Sequence, residues 1–304
     1  MVRATFRRWS PTITLLTCHR AAFLGFSRAS SLLQGICRLG ITLVLANIIE
    51  LAFEYKYLMQ RLGARVYARG DLETYARVEL IMDRWTLHWL EASGSLDEYR
   101  AEVIGEFDTA CKTVSRLLTP PRLDVLIQRV PGETIPELGL MGRAYRSTLF
   151  SMTLDPDNPN WLPSLRSGAL HRQIVHEVHH CLRMAGPGYG WTLGEALVSE
   201  GLAGQFVRHL LGSDPEPWEN AVSNADLLCN PVDLQALESG YYNHSEWFFG
   251  SGAHPKWLGY TLGYQMVGRW LASVGDIDGA TWINVPAADI IASALEEGIV
   301  VLKP

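Results

Sequence analysis

The segment His-Glu-Val-His-His at positions 176–180 constrains this chain most strongly, because it spaces two histidines four residues apart. Leu170, Ile174 and Val178 recur every four residues around it, which predicts a helix with these side chains on its core face. On a helix, side chains four apart share a face, with about 5–6 Å between their Cβ atoms. The two imidazoles can therefore meet at one metal ion, beside Glu177.

Zinc is the metal that such a pair of histidines favours. Bonds of about 2.0–2.1 Å from His176 and His180 would leave coordination positions for a third ligand and a water. Glu177 could then act as the general base, taking a proton from the zinc-activated water as that water attacks a carbonyl. The alternative is a pair of partly exposed surface histidines that bind no metal.

A second helix, predicted over residues 192–211, supplies the candidate third ligand. A capping-box pattern that includes Glu195 starts this helix, and Glu200 stands within its apolar stripe. A buried carboxylate needs a partner, since an unpaired buried charge is very costly. Zinc would be such a partner, and an ion pair with Arg172 or Arg183 is the alternative. Glu195 is a rival ligand, but the capping box already accounts for it.

Charge is spread unevenly along the 304 residues. Residues 1–70 carry ten Lys or Arg against Glu50 and Glu54, which leaves sixteen basic and thirty acidic residues in the remainder, a net charge of −14. A nucleic-acid-binding face needs clustered basic side chains, so nucleic acid is excluded as a partner.

Five scattered cysteines without a Cys-x-x-Cys pair indicate reduced thiols and a cytoplasmic setting. Residues 1–83 are predicted to be a basic, partly apolar extension, and they leave export or membrane association open. The extension is either a signal, a membrane anchor or the product of an overlong translation start. The functional domain is predicted over residues 84–304.

Periodicity and turn-forming residues predict an α+β domain that is rich in helix and has a small sheet. The predicted helices cover 85–90, 95–118, 165–184, 192–211, 257–271 and 287–301, and the predicted strands cover 123–130 and 148–154. Gly139 and Gly142 mark a connection. The helix that carries the 176–180 motif is expected to pack against the helix of Glu200. The strand at 148–154 is expected to bind an extended peptide by strand addition.

Three side chains near the C-terminus are candidates for stabilising the oxyanion that forms during hydrolysis: Tyr260, Tyr264 and His254. The two tyrosines share a helix face, where a purely structural role is the alternative. Gly259 and Gly263, four apart, predict a close approach to another helix.

Several segments resemble a known family when read together. They are WTLHWLEASG (85–94), TLDP (153–156), HEVHH (176–180), EALVSEGLA (195–203) and GYTLGY (259–264). Over residues 85–303 the chain resembles a bacterial family of predicted zinc-dependent proteases, a domain of unknown function. The spacing from His180 to Glu200 also resembles that of the gluzincin metallopeptidases.

This resemblance implies a zincin-like hydrolase, a metallopeptidase that acts on a peptide or protein substrate. It implies that His176, His180 and Glu200 are the zinc ligands and that Glu177 is the base. There is one departure, because Gly204 stands where the best-known gluzincins have an aspartate that orients the first histidine. The partner of that histidine is therefore left open.

Two other functions remain open at this stage. One is a noncatalytic zinc-bound interaction module, in which His179 or His254 closes the fourth coordination position. The other is a scaffold anchored to a membrane through residues 11–53.

Overall fold

The structure, a computed structural model, describes residues 84–302. The extension predicted for residues 1–83, with its suggested anchor at 11–53, lies outside the described residues. Within residues 84–302, no helix combines the length and the apolar character that crossing a bilayer requires.

A four-stranded sheet forms one layer of the fold. Its strands are β1 (Trp85–Leu90), β2 (Leu123–Arg129), β3 (Leu140–Arg146) and β4 (Leu149–Leu154). Their spatial order is β1-β2-β4-β3, in which β1, β2 and β4 run parallel and β3 runs antiparallel to β4 at the edge. Two further short strands, β5 (Val232–Asp233) and β6 (Val300–Val301), pair in parallel.

The described residues also form ten helices, so the prediction of a helix-rich α+β protein with a small sheet is confirmed. They are α1 (Arg100–Val114), α2 (Trp161–Arg166), α3 (Ala169–Met184), α4 (Leu193–Leu211), α5 (Asn224–Cys229), α6 (Leu234–Leu237), α7 (His244–Phe249), α8 (Leu258–Val274), α9 (Gly279–Asn284) and α10 (Ala287–Glu296).

The prediction of a helix at residues 85–90 is wrong, since this segment is strand β1. Trp85 is buried while Thr86 and His88 are exposed, which is the two-residue alternation of a strand. The Trp85 ring meets Phe107 of α1 edge-on, with centroids 6.4 Å apart. β1 then pairs in register with β2, starting at Leu123. This alternation was visible in the sequence but spans only six residues.

Several other predicted boundaries differ from the structure: the helix predicted at 95–118 covers only Arg100–Val114, and the helix predicted at 257–271 continues to Val274. The segment at 165–184 is divided by Gly168, whose positive φ of 74° separates α2 from α3. The last helix ends at Glu296 rather than continuing to 301, because Gly298 takes a φ of 75° and the chain then enters β6. Glycine adopts such conformations without the steric cost that a Cβ atom imposes.

The strand predicted at 148–154 is present as β4, but its predicted role in binding peptide is wrong. β4 is flanked by β2 on one side and by β3 on the other, so both of its edges are already paired. The segment around Gly142, predicted to be a connection, is the edge strand β3. It is β3 that packs against α3, the helix of the 176–180 motif.

Helices α3, α4 and α8 stack beside the sheet, and α4 lies in contact with both of the others. Leu170, Ile174 and Val178 of α3 are completely buried, as predicted. The predicted close helix approach is present at Gly263 of α8, where a Cβ atom would overlap the backbone carbonyl of Leu197 on α4. Gly259 instead faces the ring of Phe248.

Candidate metal centre

Three side chains from α3 and α4 converge on one point. The Nε2 atoms of His176 and His180 lie 3.0 Å apart, and Oε2 of Glu200 lies 3.2 Å from the first and 3.4 Å from the second. All three side chains are at most 10% exposed. Among the described residues, these three side chains form the group of potential ligands that could hold a metal ion.

The size of this triangle suits zinc. Ligand atoms bound tetrahedrally at about 2.0–2.1 Å from zinc lie about 3.3–3.4 Å from one another. The three observed distances of 3.0, 3.2 and 3.4 Å are close to those edges. Two imidazole nitrogens and one carboxylate oxygen are also the donor types that zinc accepts. The residues therefore fit the metal.

Glu200 is held in its ionised form. Burial raises the pKa of this carboxyl, but the imidazoles of His180 and His176 outweigh that effect and bring the pKa well below its ordinary value. The hydroxyl of Tyr189 donates a hydrogen bond of 2.7 Å to Oε1 of Glu200. Oε2 is left to face the two histidines.

The alternatives for Glu200 are excluded by the contacts of the residues concerned. Arg172 forms its ion pair with Glu216. Arg183 donates from Nη1 to the backbone carbonyls at 283 and 285, at 3.0 Å each. The rival ligand Glu195 completes the predicted capping box, where its Oε2 accepts from the backbone N–H of residue 192 at 3.0 Å.

Glu177 lies on the side of α3 that faces strand β3. Gly142 leaves the room for its carboxylate, since a Cβ atom there would lie 2.5 Å from Oε1 of Glu177. The backbone N–H of Ala144 donates to the carboxylate. Burial raises the pKa of Glu177 to about 7 and Glu200 adds to the rise, against the opposing effects of His176 and the Ala144 amide.

A cavity of about 510 Å³ opens over the three converging side chains. Its volume lies in the range of small-molecule and substrate sites. Tyr260 contributes to its wall, and burial, helped by Glu200 and Glu177, raises the pKa of this phenol well above its usual value. Tyr260 therefore remains protonated and able to donate a hydrogen bond. His244 also lines the cavity, and burial lowers the pKa of its imidazole.

The other two residues predicted to stabilise the oxyanion, Tyr264 and His254, are not among the described residues that line the cavity. His254 stacks against Trp247, with ring centroids 4.1 Å apart. Tyr264 is buried against Gly204, one turn beyond Glu200 on α4. The structure thus brings Tyr260 to the site and leaves Tyr264 and His254 beside other elements.

His179 is turned away from the converging side chains. It is completely buried, and its Nε2 lies 3.2 Å from the backbone oxygen of Trp282, to which it donates. Burial lowers the pKa of the His179 imidazole well below its usual value, so the ring is neutral. It is a core residue rather than a fourth ligand.

Sequence reasoning missed three polar residues around the centre: Tyr189, His244 and Glu219. Tyr189 follows α3 in the loop to α4, Glu219 lies in the segment after α4, and His244 lies on α7. None of them belongs to a periodic pattern, and only the tertiary fold brings them to the site.

Fold and site together define a helix-rich α+β protein with a candidate His-His-Glu metal centre. A family model described as Predicted Zn-dependent protease (DUF2268) matches residues 107–292, well over half of the chain, and the chain belongs to this family. The matched range contains all three converging side chains, and the family is described as zinc-dependent. The resemblance to a family of predicted zinc-dependent proteases is thereby confirmed. Comparisons with curated proteins and with solved structures found no significant match.

Proposed function

We propose that this protein is a zinc-dependent peptidase with a zincin-like, gluzincin-type site, in which His176, His180 and Glu200 hold the metal and Glu177 is the general base. The observation that carries the proposal is the convergence of two Nε2 atoms and one Oε2 atom at 3.0–3.4 Å within the cavity that Glu177 lines. When bound, zinc would acidify a water molecule and polarise the scissile carbonyl.

Glu177 is suited to moving the proton. In the metal-free protein, burial raises the pKa of the Glu177 carboxyl to about 7. As the general base, its carboxylate would take a proton from the attacking water and release it to the departing amine. The Ala144 amide of the edge strand favours the ionised carboxylate. Because α3 carries both Glu177 and the two histidines, the base and the metal ligands keep a fixed mutual position.

Tyr260 is assigned as a donor to the developing oxyanion. Its phenol is protonated, it lines the cavity, and its ring is held edge-on against Phe248 at 4.9 Å. His244, neutral and stacked on the same phenylalanine at 4.3 Å, is a second candidate donor. A preorganised donor of this kind contributes about 10²–10³-fold to the rate of acyl transfer.

The substrate is an extended peptide segment of a peptide or protein. Met141, Gly142, Arg143 and Ala144 of β3 line the cavity, so the strand at the sheet edge borders the metal centre. A peptide laid along this strand can pair with its backbone, as in other recognition by strand addition. Part of the cavity wall is apolar and consists of Trp218, Phe249 and Trp257. This wall favours a substrate with an apolar residue next to the cleaved bond.

The noncatalytic alternative has no observation in its favour. A structural zinc site needs a fourth side-chain ligand to close it. Among the described residues the cluster has three members, and neither His179 nor His254 joins it.

Cleavage of a peptide library by the full zinc-loaded chain, read by mass spectrometry, tests the proposal. Glu177→Gln is expected to keep one zinc per chain while cleavage falls by about 10²–10⁴-fold, the usual contribution of a general base. Glu102→Gln, at an exposed position on α1, is the matched control and is expected to cleave at the parent rate. Cleavage by Glu177→Gln as fast as by the parent would show that the assigned base is wrong.

A further inference from the structure

A second cavity, of about 710 Å³, is lined by the loop that joins α3 to α4. Its volume falls within the range of small-molecule binding sites. Tyr189, which donates to Glu200, lines this cavity as well as the cavity over the candidate metal centre. None of the three candidate metal ligands is among the described residues that line the second cavity. It is therefore a different cavity that shares one wall residue with the first.

A buried cation stands in the wall of the second cavity. Arg183, near the end of α3, is only 3% exposed, and burial lowers the pKa of its guanidinium to about 10, so it stays charged at neutral pH. Its Nη1 donates to the backbone carbonyls at 283 and 285, directly before Pro286 and Ala287 of the cavity wall. Its Nε is buried without a hydrogen-bond partner. A partly satisfied buried guanidinium favours an anionic group beside it.

A carboxylate with a free oxygen lies in the same wall. Oε2 of Glu195 accepts from the backbone N–H groups at 191 and 192 and from the hydroxyl of Thr192. Its Oε1 accepts no hydrogen bond from the described part of the chain. Glu195 attracts Arg183 and raises its pKa against the effect of burial, yet these two side chains form no ion pair. A cation and an anion thus stand in one cavity without contacting each other.

The wall also contains a group of aliphatic side chains. Leu234 and Leu237 come from α6, while Ile291 and Leu295 come from α10. Such a wall favours an aliphatic ligand through the burial of apolar surface. Glu238, which is exposed, adds a second carboxylate to the lining. Two carboxylates and one guanidinium favour a ligand that carries an ammonium as well as a carboxylate over a simple anion.

We propose that the second cavity binds a free aliphatic amino acid, with its α-carboxylate at Arg183, its α-ammonium at Oε1 of Glu195 and its side chain against the aliphatic wall. An amino acid carries both charged groups on one carbon atom, so a single small ligand can fill the gap between the two side chains. A residue inside a peptide carries neither charge, and a residue at either end carries only one. The site goes beyond the proposed peptidase function and does not depend on it.

Binding of leucine to the full chain, measured by isothermal titration calorimetry, tests this site. Isocaproate is leucine without its ammonium group, and isoamylamine is leucine without its carboxylate. Each is expected to bind about 10–100-fold more weakly than leucine, because the hydrogen bonds of one charged group are lost. Changing the ligand leaves the bonds from Arg183 to 283 and 285 intact, whereas replacing this arginine would remove them together with the site.

A blocking variant locates the leucine site. Ala292 lines the cavity from an exposed position on α10, so Ala292→Trp is expected to obstruct the cavity without entering the core and to weaken leucine binding at least about tenfold. Ala101→Trp, at an exposed position on α1, is the matched control and is expected to bind leucine like the parent.

A second variant tests the assigned partner of the ammonium. Glu195→Gln keeps an oxygen for the capping box but removes the charge. It is expected to weaken leucine binding about tenfold. It is not expected to weaken the binding of isocaproate, which has no ammonium group.

Four results would overturn the proposal: no binding of leucine at about 10 mM, analogues that bind as tightly as leucine, or parent-like leucine binding by either Ala292→Trp or Glu195→Gln. Binding that persists in Ala292→Trp would place leucine elsewhere, for example at the metal centre. None of these measurements reads peptide cleavage or zinc content, so this site and the proposed function can fail independently.

Discussion

Two neighbouring glutamates in the same centre have opposite protonation behaviour. Burial dominates at Glu177 and raises its pKa to about 7, whereas the imidazoles of His180 and His176 overcome burial at Glu200 and lower its pKa well below the ordinary value. The first carboxyl is therefore suited to exchanging a proton near neutral pH. The second is suited to remaining an anionic ligand.

The raised pKa of Glu177 predicts a pH-dependent cost to stability in the metal-free protein. A carboxyl whose folded pKa of about 7 lies above its ordinary 4.5 binds a proton more tightly in the folded state, so its favourable contribution is lost as the pH rises from about 4.5 to about 7. Above that range the buried charge remains a cost. Glu177→Gln cannot ionise and is expected to be more stable than the parent at pH 8, by about 2–3 kcal/mol.

Urea unfolding of the chelator-treated proteins at pH 5 and pH 8 measures this difference. The stability gained by Glu177→Gln should shrink towards zero at pH 5, where the parent carboxyl is protonated in the folded state. A gain that is equal at the two pH values, or larger at pH 5, would contradict the assigned cause.

The position of Glu200 depends on the close contact between α4 and α8. A Cβ atom at Gly263 of α8 would overlap the backbone carbonyl of Leu197, and a Cβ atom at Gly201 of α4 would overlap the backbone carbonyl of Gly263. Gly201 directly follows Glu200, so the two helix backbones touch beside the candidate metal centre. Backbone atoms cannot rotate away as a side chain can, so the contact tolerates no added carbon.

Two identical glycine-to-alanine substitutions in helix interiors should therefore have opposite effects. Gly263→Ala is expected to destabilise the protein by about 1–3 kcal/mol or more, through overpacking. Gly105→Ala, at an exposed position on α1 with no atom within 4 Å of the new methyl group, is expected to stabilise it by about 0.5–1 kcal/mol. Urea denaturation midpoints distinguish the two, and unchanged stability in Gly263→Ala would show that the helices can separate without cost.

Helices with strong periodicity and the apolar strands β2 and β4 were predicted well, while strands β1 and β3 were not. The helix around Leu170, Ile174 and Val178 and the capping box at Glu195 are local patterns, and both are present in the structure. Strand β3 contains Gly142 and Arg143 rather than alternating apolar residues, because it forms the wall of a cavity and needs room for Glu177. The residues of β3 therefore fit the requirements of the cavity, and they lack the alternation of apolar and polar residues from which a strand is predicted.

The candidate metal centre was predictable because its parts lie close together in the sequence. Helical spacing puts His176 and His180 on one face of α3, and Glu200 reaches them because the next helix, α4, packs against α3. The supporting residues enter from other elements: Tyr189 lies in the loop before α4 and bonds to Glu200, and Tyr260 belongs to α8. Such contacts depend on how the whole chain folds, and no local pattern in a single sequence encodes them.

The central claim is that the packed pair α3 and α4 forms one zinc site from three named side chains. Elemental analysis of the purified full chain measures it directly. We expect about one zinc per chain in the parent and in Glu195→Ala, whose carboxylate belongs to the capping box. Glu200→Ala is expected to lose most of its zinc. Retention of the parent amount of zinc by Glu200→Ala would contradict the account.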